Sequence, residues 1–211
     1  QNGFTFIELI VVISIFAIMS GVVIFKFDDF SSNITLQNLS HDIALRIKKA
    51  QNEAIFGQSN TIGQQNFGVS YTGEYADRYA PTYGIHFSPD NNKQFTFFAD
   101  RQFTYNGTYD IGGSTCNSPG GGTECLEDVN IQGSETITEL CVNVTTVGSC
   151  VDLGGTIIND YLDITFKRPF PEARIFGDGS IWDSARIKLT SASGKQNRYV
   201  FVTRLGQITA Q

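Results

Sequence analysis

Glu8 is the one charged residue in an apolar run that extends from Phe4 to Phe25, with Lys26 directly after it. An ionisable side chain at hydrocarbon depth costs on the order of 3 kcal/mol. A carboxylate buried in apolar surroundings raises its pKa or finds a cation. We therefore expect Glu8 to have a specific partner and its chemistry to be charge pairing.

The nearest candidate cation depends on the peptide bond between Gly3 and Phe4. A secretory signal is cut after its apolar region, whereas a cut here would precede the apolar run and leave it on the mature chain. The new amine of Phe4, on the same chain or on a neighbouring subunit, could pair with Glu8 and fix the axial register of packed helices. The alternative is a helix that lies in a membrane interface, with its glutamate reaching the polar surface.

Four cysteines lie in the segment 106–155, which is rich in Gly, Ser, Thr and Asn: Cys116, Cys125, Cys141 and Cys150. Even, clustered cysteines in an exported domain indicate disulfides. Because short loops close most readily, we favour the pairs Cys116–Cys125 and Cys141–Cys150. A tetrathiolate zinc site is the alternative, although zinc knuckles space their ligands more closely. We expect the disulfides to stiffen a loop insertion that builds no core of its own.

The sequence contains no catalytic constellation, no cofactor motif and no metal-ligand spacing, so we predict neither an enzyme nor a bound cofactor or metal. His41 and His86 belong to no such motif, and His86 is predicted to lie on the surface. Asp90, Asp100 and Asp110 could surround a calcium ion. Aspartate is also an ordinary turn former, and we favour turns.

The C-terminal part is basic, although the chain as a whole carries a net charge of −6. Residues 163–211 contain eight Lys and Arg against four Asp and Glu. A basic face on the last strands could contact nucleic acid. Its predicted members are Arg186, Lys188, Lys195, Arg198 and Arg204. We favour a solvated strand face, or a contact with the acidic loop of a neighbouring subunit.

Two helical stretches are expected to position Glu8. As a helix, Phe4–Phe25 would be about 33 Å long, enough for a hydrocarbon core of about 30 Å. After a polar interruption at 28–33, apolar residues recur at spacings of three and four and predict an amphipathic helix that packs on a sheet and ends at Gly57. Its apolar stripe consists of Leu36, Leu39, Ile43, Ile47, Ala50 and Ala54.

The rest of the chain predicts antiparallel β structure. Runs of alternating, β-branched or aromatic side chains follow one another with turn residues, and without helices, between them. The predicted strands are 67–72, 82–88, 94–99, 162–166, 185–190 and 199–204. The fold class is therefore α+β, with a long N-terminal helix packed on an antiparallel sheet domain.

The string Gly3-Phe4-Thr5-Phe6-Ile7-Glu8-Leu9 resembles the processing site of type IV pilins and type II secretion pseudopilins. The resemblance implies cleavage by prepilin peptidase after Gly3 and N-methylation of Phe4. It implies a single-pass precursor in the cytoplasmic membrane that polymerises, with Glu8 setting the register. The product would be a cell-surface or periplasmic filament of this subunit, alone or with other pilins.

The same resemblance divides the chain into a residual leader peptide at 1–3, a hydrophobic transmembrane and assembly helix at 4–27, an amphipathic helix at 28–57 and a β-rich domain at 58–211. The cysteine loop at 106–155 is an insertion in that domain. Short stretches such as 83–87, 97–100 and 201–208 are similar to H-type minor pseudopilins.

Two other functions stay open from the sequence. One is a DNA-binding minor pilin for DNA uptake, for which nucleic acid would be a partner. The C-terminal Gly-Arg-x-Arg tail of such pilins is altered here, because Gln207 stands where its first arginine should be. The other is a membrane-anchored binding protein that does not polymerise.

Overall fold

The structure of the chain is a computed structural model that describes residues 3–56, 82–100, 106–110, 116, 124–144, 150, 155–167 and 169–211, without the side chains of 22–29. In these ranges one helix, α1 (Phe6–Phe56), precedes eleven strands. The strands are β1 (Tyr83–Phe87), β2 (Gln94–Ala99), β3 (Cys125–Asn130), β4 (Thr136–Val142), β5 (Thr156–Ile157), β6 (Leu162–Phe166), β7 (Ala173–Gly177), β8 (Ser180–Trp182), β9 (Ser184–Thr190), β10 (Asn197–Thr203) and β11 (Ile208–Ala210).

The two predicted helical stretches form one continuous helix. α1 has 51 residues, which corresponds to a length of about 77 Å. Its C-terminal half buries the predicted apolar stripe, with Leu36, Ile43 and Ile47 fully inaccessible to solvent. Leu39 is partly buried against the same core. The 3.6-residue period of these side chains is therefore what orients the helix on the β domain.

The strands form two antiparallel sheets. The larger sheet has the order β3-β2-β1-β6-β7-β8 and the smaller the order β11-β10-β9-β4-β5. α1 contacts β1 and β6 of the larger sheet and β9, β10 and β11 of the smaller one. One apolar core therefore lies between the helix and both sheets, and it includes Ile85 and Ile164 from one sheet and Ile187 and Val200 from the other. The predicted α+β class is confirmed.

Several predicted strands agree closely with the observed ones. The runs 94–99 and 162–166 correspond to β2 and β6, and 82–88, 185–190 and 199–204 overlap β1, β9 and β10. The predicted strand 67–72 lies outside the described residues.

The segment 106–155 differs from the expected loop insertion. Its described residues include β3 at an edge of the larger sheet and β4 between β9 and β5 in the smaller one. Ile137, Leu140 and Val142 of β4 belong to the main core. The segment thus supplies part of the core, because β4 pairs along β9 even though its neighbours in sequence are polar.

The cysteines form two local disulfides, Cys116–Cys125 and Cys141–Cys150, each with a sequence separation of nine. These are the pairs favoured from the sequence. Cys125 opens β3, and Cys141 lies near the end of β4. Each disulfide therefore ties a strand to a neighbouring loop position.

Candidate processing and assembly site

The start of α1 is fixed by two side chains, Thr5 and Glu8. The N–H of Thr5 donates to Glu8 Oε2 at 2.8 Å, and the Thr5 hydroxyl donates to the same oxygen at 2.6 Å. In return the N–H of Glu8 donates to Thr5 Oγ1 at 3.4 Å. Thr5 directly precedes the first helical residue, so the pair satisfies amides that a helix N-terminus otherwise leaves unbonded.

The observed partner of Glu8 in the single chain is therefore Thr5, and sequence reasoning missed it. The expected partner was the amine of Phe4, but with Gly3 still attached the Phe4 nitrogen is an amide and carries no charge. The pattern Thr-x-x-Glu before an apolar run is a known signature of this reciprocal cap and could have identified it. With Gly3 attached, Glu8 is thus held by hydrogen bonds to Thr5.

The Gly3–Phe4 peptide bond lies in an open part of the chain. A Cβ added at Gly3 would meet nothing within 4 Å. The Phe4 side chain is 85% exposed, and residues 3–5 precede the helix in non-helical backbone. A peptidase needs a substrate bond that is accessible and outside regular helix, and this junction meets both conditions.

The N-terminal part of α1 exposes its apolar side chains. Twelve large apolar residues from Phe4 to Met19 are between 44% and 85% exposed, whereas Leu36 on the same helix is fully buried. Over the described residues, no helix meets the length and hydropathy needed to cross a membrane. Thr5, Glu8 and Ser14 are the polar residues of this stretch, and the Ser14 hydroxyl donates to the carbonyl of Ile10 at 2.7 Å.

Residues 1–24 match the family model described as the prokaryotic N-terminal methylation motif. This motif indicates a type IV pilin-like, prepilin-type protein. Such a protein is a substrate of prepilin peptidase, and the match covers Gly3, Phe4 and Glu8. Neither the curated proteins nor the solved structures include a significant match to this chain.

The predicted basic face is not assembled as expected, because Arg186 is fully buried. Its guanidinium bonds Glu139 at 2.6 Å and lies over the ring of Tyr199 at 5.1 Å from the centroid. β9 directs this side chain away from the main core but into a covered site. Arg186 therefore serves the fold of the β domain and is unavailable to nucleic acid.

Two other arginines of that face also have partners in the chain. Arg198 donates to the side-chain oxygen of Asn33 on α1 at 3.0 Å. Arg204 pairs with Asp183 at 3.2 Å, and both side chains are well exposed. The cations thus point to different neighbours along β10 and its flanking loop.

His86 is buried, which corrects the prediction of a surface residue. It does face away from Ile85 and Phe87, but the outer face of the larger sheet is covered. His86 Nδ1 lies 2.7 Å from Asp163 Oδ1, and the N–H of Tyr109 donates to Asp163 Oδ2 at 2.9 Å. Burial raises the pKa of the Asp163 carboxyl, against the hydrogen bond from His86, which lowers it.

The three aspartates considered for calcium do not all meet at one site. Asp90 is exposed in the turn after β1, whereas Asp100 is buried and accepts the Gly107 N–H at 2.7 Å. Asp110 is near Asp100, and its charge raises the pKa of that carboxyl. Among the described residues, two groups of side chains are close enough to share a metal ion, Cys116 with Cys125 and Asp128, and Glu139 with Cys141 and Cys150. Both contain a disulfide, and only a thiolate is a strong ligand.

Proposed function

We propose that this chain is a structural, non-enzymatic subunit of a type IV pilus or type II secretion pseudopilus. Its apolar run is inserted in the cytoplasmic membrane, it is cleaved after Gly3, and it polymerises through the N-terminal half of α1. The β domain faces outward from the filament. The methylation motif supports the processing step, and the geometry of α1 supports polymerisation.

The main support for the proposal is the difference in side-chain exposure between the two parts of α1. From Leu36 onward the helix is packed on the β domain, while up to Met19 it exposes apolar side chains on all sides. Exposed apolar surface of this extent marks a membrane or protein contact. Helices that leave a bilayer to pack against one another keep that surface out of water in both states.

Glu8 changes partner in this scheme. Cleavage after Gly3 converts the Phe4 nitrogen into an ammonium group, which is a stronger partner for a carboxylate than the neutral donors of Thr5. In a dry helix bundle this pair is formed with an adjacent subunit. Only one axial offset between neighbouring helices then satisfies both charges, so Glu8 sets the register.

The direct test replaces Glu8 by alanine in a strain whose filaments can be purified. Glu8→Ala is expected to leave membrane insertion intact, because it removes the one charge from the apolar run. Incorporation into filaments is expected to fall at least about 10-fold, since an unpaired buried ammonium costs several kcal/mol. Immunoblots of membrane and filament fractions measure both quantities.

The matched control is Glu172→Ala, which removes an exposed carboxylate from the β domain. It should insert and incorporate as the unmodified chain does. Normal incorporation of Glu8→Ala would contradict the assigned role. Loss of insertion for both variants would show an expression defect rather than an assembly defect.

A further inference from the structure

The dipeptide Asn106–Gly107 lies in a cluster on the outer face of the larger sheet, far in sequence from the assembly helix. Asn106 is exposed and Gly107 is buried. Tyr109 of the same loop packs against Phe98 and His86, at ring-centroid distances of 5.2 and 4.7 Å. The loop is thereby held against the sheet in a defined conformation.

Three hydrogen bonds around Asn106 place a base, an oxyanion donor and a leaving-group partner. The N–H of Gly107 donates to Asp100 Oδ2 at 2.7 Å. The N–H of Thr108 donates to the side-chain oxygen of Asn106 at 2.9 Å. The side-chain nitrogen of Asn106 donates to Asp110 Oδ1 at 3.1 Å.

The first two of these hydrogen bonds involve groups that take part in closing a five-membered imide. The Gly107 nitrogen is the nucleophile, and it carries the proton that Asp100 is positioned to accept. The Thr108 amide points at the oxygen on which negative charge develops as Cγ of Asn106 is attacked. Gly107 has a φ of +80° and no Cβ, so no side chain obstructs the attack.

We propose that Asn106–Gly107 is a self-modification site, at which Asp100 promotes conversion of the Asn106 amide into a carboxylate through a cyclic imide. The Gly107 nitrogen passes its proton to Asp100 and bonds to Cγ of Asn106. The bond from Cγ to Nδ2 then breaks, and Nδ2 leaves as ammonia with a proton returned through solvent. Water adds to one of the two imide carbonyls and opens the ring to aspartate or isoaspartate.

The environment of Asp100 supports its role as the base. The residue is 2% exposed. Burial raises the pKa of this carboxyl, while the hydrogen bonds from Gly107 and from the Glu124 side chain lower it. A carboxylate with a raised pKa is a better proton acceptor. Asp100 is therefore more basic than a solvated aspartate would be.

The product adds a negative charge to the exposed end of the loop. The bond from the Asn106 amide to Asp110 is replaced by a contact between two carboxylates. The modified loop is expected to loosen from the sheet near residue 106, while the buried bonds to Asp163 remain. In a long-lived filament the change would accumulate as a mark of subunit age.

The test measures conversion at residue 106 in the full chain, purified in detergent and incubated either native or in urea. Peptide mapping by mass spectrometry, with chromatographic separation of isoaspartate, gives the rate. The chain has a second Asn-Gly dipeptide, Asn2–Gly3, which serves as an internal reference of the same sequence type. A positioned base supports conversion at Asn106 at least about 10-fold faster in the native chain than in urea.

Two variants distinguish the effect of the Asp100 carboxylate on the conversion rate from the effect of an Asp→Asn change in general. Asp100→Asn keeps the side-chain shape and should reduce the native rate to that in urea, with folding checked by circular dichroism. Asp90→Asn makes the same change in an exposed turn and should leave the rate unaltered. If Asp100→Asn does not fold, the comparison of native and urea-treated chain decides alone. Native conversion that equals or falls below the rate in urea overturns the proposal.

Discussion

Thr5 and Glu8 illustrate how one residue pair fixes the start of a helix. Their reciprocal hydrogen bonds begin α1 and hold the carboxylate near the Gly3–Phe4 bond. Under the proposed cleavage after Gly3, the same carboxylate would gain a free amine at Phe4 as a candidate partner. The apolar context of Glu8 indicated that its carboxylate needs a partner. It did not indicate Thr5, because a search for cations does not consider a neutral hydroxyl three residues away.

Gly206 provides a test of backbone strain at residue scale. It has a φ of +80°, and a Cβ there would collide with the carbonyl oxygen of Pro171 and crowd the Gln51 amide. That amide donates to both loop carbonyls, at 2.7 Å to Pro171 and 3.2 Å to Gly206. Gly206→Ala is expected to lower the free energy of unfolding by about 3 kcal/mol in urea denaturation.

The control for that variant is Gly179→Ala. Gly179 has a similar φ of +75°, but nothing lies within 4 Å of its added Cβ. Gly179→Ala should lower the free energy of unfolding by only about 1 kcal/mol, the cost of the left-handed backbone alone. Equal losses at the two positions would show that the Pro171 and Gln51 contacts contribute nothing.

Asp163 gives a prediction for pH. Its pKa is raised in the folded state by burial, above the unfolded value of about 3.9. Folding then binds a proton, so the contribution of this group to stability is present below the unfolded pKa and is lost as pH rises through the folded one. Relative to Asp163→Asn, the unmodified chain should lose stability with rising pH.

Urea unfolding of both chains at several pH values above about 4 measures this difference. His86, Tyr109 and Asp110 face the same carboxyl and are unchanged in the variant. A stability difference that stays constant, or that shifts in favour of the unmodified chain as pH rises, would contradict the prediction.

At the scale of elements, periodicity located α1 and the strands that alternate clearly. Phe95 and Phe97 indicated β2, and Leu162 and Ile164 indicated β6. The prediction failed for β4, because Thr136–Val142 lies in a segment rich in small polar residues and its strand character depends on pairing with β9. Local composition cannot reveal a partner that lies about fifty residues away.

The disulfide at Cys141 tests how much β4 depends on its loop. Replacing Cys141 and Cys150 by serine is expected to lower the free energy of unfolding by about 3 kcal/mol, from lost loop closure and two buried hydroxyls. Both cysteines are fully buried. Thermal and urea unfolding under non-reducing conditions measure the loss.

The matched double variant replaces Cys116 and Cys125, which enclose a loop of the same length. Cys116 is partly exposed, and β3 is an edge strand. This double variant should therefore lose less unfolding free energy than the one at Cys141 and Cys150. A larger loss at the edge strand would show that β3, rather than β4, limits the stability of the domain.

On the scale of the whole molecule, the single helix α1 combines a part that is buried in the domain core with a part whose apolar side chains are exposed. From Leu36 onward α1 is part of the domain core, and up to Met19 it exposes apolar side chains. The sequence predicted this division from a change in hydrophobic pattern along the chain. It could not predict the covered outer face of the larger sheet, where His86 and Asp163 are buried by a loop with little apolar character.

Processing at Gly3 followed by polymerisation through the apolar helix can be measured on the filament itself. The decisive measurement is mass spectrometry of the N-terminal peptide from purified filaments. We expect the chain to be present in the filaments and to begin with an N-methylated Phe4. Recovery of a filament-associated chain that still carries Gly3, or absence of the chain from filaments that otherwise assemble, would contradict this expectation.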